Sequence, residues 1–180
     1  MSEKKAERIA NFRDHQPEFI DVTPCVRLRR FDHIDPHALD WYQDPETLRL
    51  VDGPTRQPYD WVLLERMYRY LAQHGELYYI EYRQEDEFIP IGDVTLMPDD
   101  LPIVIGAPEF RGKGIGYHVV RALMARAREN GWRTLMVQDI YDYNAGSKCL
   151  FKKCGFVPYQ PTKLGQSYRC DLDKQTNTED

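Results

Sequence analysis

Apolar residues at Ile115, Val119, Val120, Leu123, Met124 and Ala127 recur at three- and four-residue steps, while Arg121, Arg126, Arg128 and Glu129 fall off that stripe. The pattern predicts an amphipathic helix from Ile115 to Asn130, ended by Asn130-Gly131. Trp61, Leu64, Tyr68 and Leu71 carry the same period behind Pro58 and Asp60, and Gly75 closes that helix. Val22 to Arg30 alternates, Val26 and Leu28 against Arg27 and Arg29, and reads as a first strand. Leu77 to Tyr82 and Phe88 to Met97 read as two more, with Gly92 at a bulge. A hairpin turn at Pro98-Asp99-Asp100 leads to the nearly all-apolar run Leu101 to Gly106, a composition that suits a central strand. Thr134 to Val137, Phe156 to Tyr159 and Tyr168 to Leu172 complete the strands.

Turn chemistry places the remaining helices. Asp35-Pro36 and Asp44-Pro45 each pair an N-cap with proline at the first helical position, and Asp52-Gly53-Pro54 is a stop. Asn144 opens a late helix that Gly155 closes. Residues 1–20 read as a polar lead-in with a short helix over Glu3 to Phe12, and the tail from Asp173 as frayed. The fold class is therefore mixed α/β, and the crossover after Gly106 predicts that strands 101–106 and 134–138 run parallel and adjacent.

At 180 residues and 42% hydrophobic, the chain suits one domain spanning 1–180. A net charge of -5 argues against nucleic acid as a partner. No apolar run is long enough to cross a bilayer and the N-terminus lacks an apolar signal core, which points to the cytoplasm and away from a membrane. Cys25, Cys149, Cys154 and Cys170 form no metal-type pair, and the histidines are scattered, so reduced thiols and no metal are expected.

The chemistry concentrates in Arg111-Gly112-Lys113-Gly114-Ile115-Gly116, between the apolar strand and the helix. A glycine-rich loop at a helix N-terminus gathers backbone N–H groups at the positive end of the helix dipole, a binding place for phosphate oxygens. It is not a P-loop, because Lys113 precedes the last two glycines and no Ser or Thr follows. It is not the dinucleotide fingerprint either, because position 117 is Tyr. As a bare pattern it is also a plain strand-to-helix turn.

Arg111-x-x-Gly114-x-Gly116 resembles the acetyl-CoA loop of the GNAT acetyltransferases. The segment Asn144 to Phe156, in which Asn144 opens a helix, Ser147 follows three on and Lys153-Cys154-Gly155-Phe156 ends it, is similar to that family's later signature. The resemblance is specific over 101–159. It implies a mostly antiparallel sheet with a parallel strand pair splayed at the cofactor site, and acetyl-CoA as co-substrate. It implies that Val104, Ile105 and Gly106 pair with the pantetheine arm and that Arg111, Gly112, Lys113, Gly114, Ile115 and Gly116 hold the diphosphate. Asn144, Ser147 and Lys148 would reach the cofactor from the later helix.

For the family's reaction, acetyl transfer to an amine, the usual tyrosine acid of the later helix is replaced by Phe151, which leaves Tyr143, Cys149 or water as donor. The strand 102–107 holds no carboxylate, so the candidate bases are Asp93 and Asp139, each also readable as a bulge or turn residue. Residues 31–60 hold seven acids (Asp32, Asp35, Asp40, Asp44, Glu46, Asp52, Asp60) against Arg49 and Arg56, a field that draws cations, although three of the acids are also helix caps. A small cationic amine is the favoured acceptor. A protein N-terminus of the ribosomal type and a non-catalytic acyl-CoA sensor are the alternatives, and the C-terminal strands are candidates to pair in a homodimer.

Overall fold

In the computed structural model, which describes residues 15–174, β1 (Phe19–Thr23), β2 (Val26–Arg30), β3 (Glu76–Gln84), β4 (Glu87–Leu96) and β5 (Ile103–Ile105) form one sheet in that order. All of its ladders are antiparallel. A second antiparallel sheet holds β6 (Thr134–Tyr141), β8 (Gly165–Asp171) and β7 (Val157–Pro161) in the order β6-β8-β7. The helices are α1 (His37–Trp41), α2 (Pro45–Val51), α3 (Trp61–His74), α4 (Ile115–Glu129) and α5 (Ala145–Lys153).

β3 shows why the first sheet is covered on both faces. Successive side chains point to opposite sides of a strand. Tyr78 and Ile80 enter one apolar cluster, while Leu77 and Tyr79 enter another. The first cluster takes the stripe of α4, whose Val119, Val120, Leu123, Met124 and Ala127 are fully buried. At about 1.5–3 kcal/mol per large buried aliphatic side chain, that stripe is the main anchor of α4. The second cluster packs α1, α2 and α3 on the opposite face through Trp41, Leu48, Leu64 and Tyr68.

Several expectations are corrected. The first strand is a hairpin of two strands turning at Pro24-Cys25, and its outer strand begins at Phe19, inside the stretch read as lead-in. The last strand starts at Gly165, ahead of Tyr168. The apolar strand before the glycine loop is an edge strand, three residues long. It is apolar because both its faces are covered: Val104 belongs to one cluster, and Ile103 and Ile105 pack on the other. No ladder joins β5 to β6; each ends its own sheet, so the expected parallel pair is split rather than hydrogen-bonded. The helix expected over Glu3 to Phe12 lies outside the described residues.

Candidate active site

The loop after β5 is built from local geometry. A single 3₁₀ turn (Pro108–Phe110) carries the chain out of the strand. Gly112 and Gly114 then take positive φ, 71° and 78°, and Gly114 caps α4. L-residues enter this region only at a cost, which explains both glycines. A Cβ at either would meet nothing within 4 Å, so the space above the loop is open. The backbone N–H groups from Gly112 to Tyr117 find no acceptor among the described residues; the first satisfied one is His118, bonded to the Gly114 carbonyl at 3.3 Å. They sit at the N-terminus of a 15-residue helix, where an anion is favoured. Lys113 is exposed, its Nζ 5.4 Å from the Phe110 ring centroid. These residues fit a diphosphate.

Arg111 is placed differently from the other loop residues. Its N–H is bonded to the Pro108 carbonyl at 3.1 Å. Its guanidinium turns back from the loop: Nε donates to the Ile105 carbonyl at 2.8 Å, and Nη2 to the Gly106 carbonyl at 3.1 Å and to Thr47 Oγ1 at 2.7 Å. Nη2 also lies 3.3 Å from Asp44 Oδ2. The Asp44 carboxylate caps α2 by accepting from the Thr47 N–H and hydroxyl at 3.0 and 2.8 Å. Its partial burial works against the charge, but the bonds from Thr47 and Arg111 prevail and hold its pKa below the usual value.

The mouth between the sheets is tied at other points. Asp100 Oδ1 accepts from the N–H groups of Leu101 and Gln138 at 2.9 and 3.0 Å, pinning the start of β5 to β6. Gln138 and Asp139 lie in a bulge of β6, since the register slips between Val137 and Ile140. Gly106 has no room for a side chain, because a Cβ there would lie 2.1 Å from the Trp41 ring.

The later segment reaches back across the cleft. Asn144 Oδ1 caps α5 on the Ser147 N–H at 3.0 Å, and its Nδ2 donates to the Leu50 carbonyl at 3.3 Å. The Tyr143 hydroxyl donates to the Arg49 carbonyl at 2.6 Å, with Arg49 stacked 4.7 Å over the ring. Lys148 Nζ donates to the Asp142 carbonyl. Gly116 lies where a Cβ would be 3.2 Å from Leu150, so α4 and α5 approach closely beside the loop. Phe151, at the usual tyrosine position, is buried against Phe156.

The three catalytic candidates are not brought together. Asp93, on β4 opposite Val104, is sealed in the core. The Tyr42 hydroxyl donates to both its oxygens at 3.0 Å and the Tyr68 hydroxyl to Oδ2 at 2.8 Å. Burial pushes its pKa up to about 6, against the effect of those two bonds. Asp139 is exposed, and its Oδ1 accepts from the Thr162 hydroxyl at 2.6 Å. Tyr143 is exposed and stacked on Tyr141, ring centroids 5.4 Å apart. Partial burial and the charges of Asp139 and Asp52 raise the pKa of Tyr141.

Most of the acids of 31–60 are spoken for locally. Asp44 and Asp60 cap helices, and Asp35 accepts from the His37 N–H at 2.9 Å. Asp32 and Glu46 pair with Arg29 and Arg49 at 2.7 and 2.9 Å, and Asp52 accepts from the Tyr59 hydroxyl at 2.7 Å. Trp41, Tyr42 and Tyr59 are core, while Trp61 is half exposed. Sequence reasoning missed Thr47 and Asp100, whose partners are 64 and 38 residues away. Among the described residues no group of side chains is arranged to hold a metal ion, and no helix is long and apolar enough to cross a membrane.

Comparison with known proteins identifies the family and the fold. The family model described as "Acetyltransferase (GNAT) domain" matches residues 26–157. An acetyltransferase from Agrobacterium tumefaciens str. C58 superposes with a TM-score of 0.68 at 20% identity, covering 84% of this chain and 92% of its own. RimL, a ribosomal L7/L12 alpha-N-protein acetyltransferase solved with coenzyme A, gives 0.65 at 17% identity, covering 87% and 99%. The microcin C7 self-immunity acetyltransferase MccE, solved with acetyl-CoA and AMP, gives 0.62 at 14%, covering 86% and 97%. No curated protein matches the chain in sequence.

Proposed function

Because the chain belongs to the GNAT acetyltransferase family and is an acetyl-CoA-dependent N-acetyltransferase, we propose that its acceptor is a primary amine on a small cationic molecule. The run of N–H groups from Gly112 to Tyr117 without an acceptor among the described residues, beside a β5 edge that no further strand pairs with, is the observation that carries the cofactor half of this reading. The loop amides would take the diphosphate, with Lys113 adding charge. The outer edge of β5, from Val104 to Gly106, would take the pantetheine arm as another strand, beside the Ile105 and Gly106 carbonyls that already accept from Arg111, and Ser147 and Lys148 would flank it. Bound there, acetyl-CoA supplies an activated thioester carbonyl.

The chain's own contribution is to place the amine and accept its proton, because an ammonium has no lone pair to attack with. Of the three candidates, Asp139 alone combines exposure with a carboxylate oxygen, Oδ2, that has no partner among the described residues, and we assign it the role of base. The Tyr143 proton is committed to the Arg49 carbonyl. A thiolate, with an ordinary pKa near 8.5, leaves without a fixed acid. The cationic preference rests on the acid surplus of residues 31–60, seven carboxylates against Arg49 and Arg56. A protein N-terminus is the second reading, favoured by the likeness to the L7/L12 enzyme.

Thiol release from acetyl-CoA, measured with polyamines, aminoglycosides and basic N-terminal peptides, tests the acceptor. Turnover of the small amines alone supports the first reading, and turnover of the peptides alone the second. An Asp139→Asn variant with unchanged kcat/KM removes that residue as base.

A further inference from the structure

We infer that Arg111 is a positioning residue that couples the diphosphate-holding loop to helix α2. The inference rests on the cofactor reading above and concerns what the first residue of the loop motif does. Its N–H is spent on the Pro108 carbonyl, and its Nε and Nη2 are spent on Ile105, Gly106, Thr47 and Asp44. The side chain therefore faces the strand end and α2 while the amides that follow it face the open space over the loop.

α2 depends on such ties. It has seven residues, too few to hold a helix by itself, and buries only Thr47 and Leu48. Arg111 grips its N-terminal turn from the β5 side. Tyr143 and Asn144 grip its last carbonyls from the β6 side. α2 thus bridges the two strands whose separation opens the cleft, and one of its two anchors is a residue of the cofactor loop. An anion that orders the loop also fixes Arg111, and Arg111 then fixes α2. The planar guanidinium reaches four acceptors from one edge, which a lysine ammonium on a flexible stem cannot reproduce.

Amide hydrogen exchange on the intact protein, with coenzyme A as the probe, tests this. In the unsubstituted protein, saturating coenzyme A is expected to slow exchange at 112–117 and at 45–51 together. Thr47→Val removes the hydroxyl at constant shape, and Arg111→Lys removes the fork. Both variants are expected to bind coenzyme A within about threefold of the original and to keep loop protection, while the coenzyme-dependent protection of 45–51 disappears. A purely structural role would change exchange in α2 equally with and without coenzyme A, and would overturn the inference. So would protection of 45–51 that survives either substitution, or that is missing from the original protein. A loss of affinity of about tenfold or more in Arg111→Lys with α2 unaffected would make Arg111 a phosphate ligand instead. Absence of protection at 112–117 in the original protein would remove the cofactor reading and this inference with it.

Discussion

The hydroxyl of Tyr68 donates to the carboxylate of Asp93 at 2.8 Å in a core from which solvent is excluded. A buried carboxylate with two tyrosine donors and no cation beside it holds its proton longer than usual. Its pKa is about 6 in the folded chain against an ordinary 3.8. Because the folded value is raised, the contribution to stability is full below the unfolded pKa, falls as pH rises through about 4 to 6, and is lost above. Asp93→Asn keeps an acceptor for Tyr68 without the charge. It is expected to flatten that slope and to be as stable as the original at pH 7–8, or more so by up to about 2 kcal/mol. Urea midpoints from pH 4 to 8 check this. A variant several kcal/mol weaker at pH 7 would show that the ionised carboxylate is stabilising.

Gly114 and Gly131 flank the same helix with φ of 78° and 77°, and neither faces an obstacle to a Cβ. Alanine at either is expected to cost about 1–2 kcal/mol of stability from backbone strain alone. Only Gly114→Ala is expected to weaken coenzyme A binding, by about tenfold, because only there does the strained backbone carry the anion-facing amides. Thermal melts and calorimetry on the pair separate the two effects. Equal affinity in both variants would count against the loop as the diphosphate site.

The Tyr143 hydroxyl holds the Arg49 carbonyl at 2.6 Å. Tyr143→Phe is expected to cost about 0.5–1.5 kcal/mol of stability for that bond. Its kcat is expected to change by less than about threefold, whereas a general acid would be worth about a hundredfold or more. Steady-state rates on the first amine turned over decide between the two roles.

Asp100 joins the sheets by accepting from Leu101 and Gln138, and burial raises its pKa. Asp100→Ala leaves two amides without their partner. A loss of about 2–4 kcal/mol in chemical denaturation is expected, with faster amide exchange at Gln138. An unchanged midpoint would mean that the β5–β6 spacing is set elsewhere.

The sequence by itself determined what depends on neighbours along the chain. Asp44, Asp60 and Asn144 cap helices where they were read, because a cap bonds an amide three residues away. The stripe of α4 is buried as its period requires. Gly112 and Gly114 take the left-handed backbone of a tight turn at a helix start. Where a residue acts across the fold, local pattern was silent or misleading. Arg111 reads as a loop cation, yet its guanidinium serves Thr47 and Asp44, 64 and 67 residues away. Asp93 reads as a base beside a bulge, yet Tyr42 and Tyr68 enclose it. The apolar run 101–106 reads as a central strand, yet it ends its sheet. In each case the side chain's surroundings are supplied by elements distant along the chain, and their approach is decided by packing of the whole chain rather than by spacing within a segment.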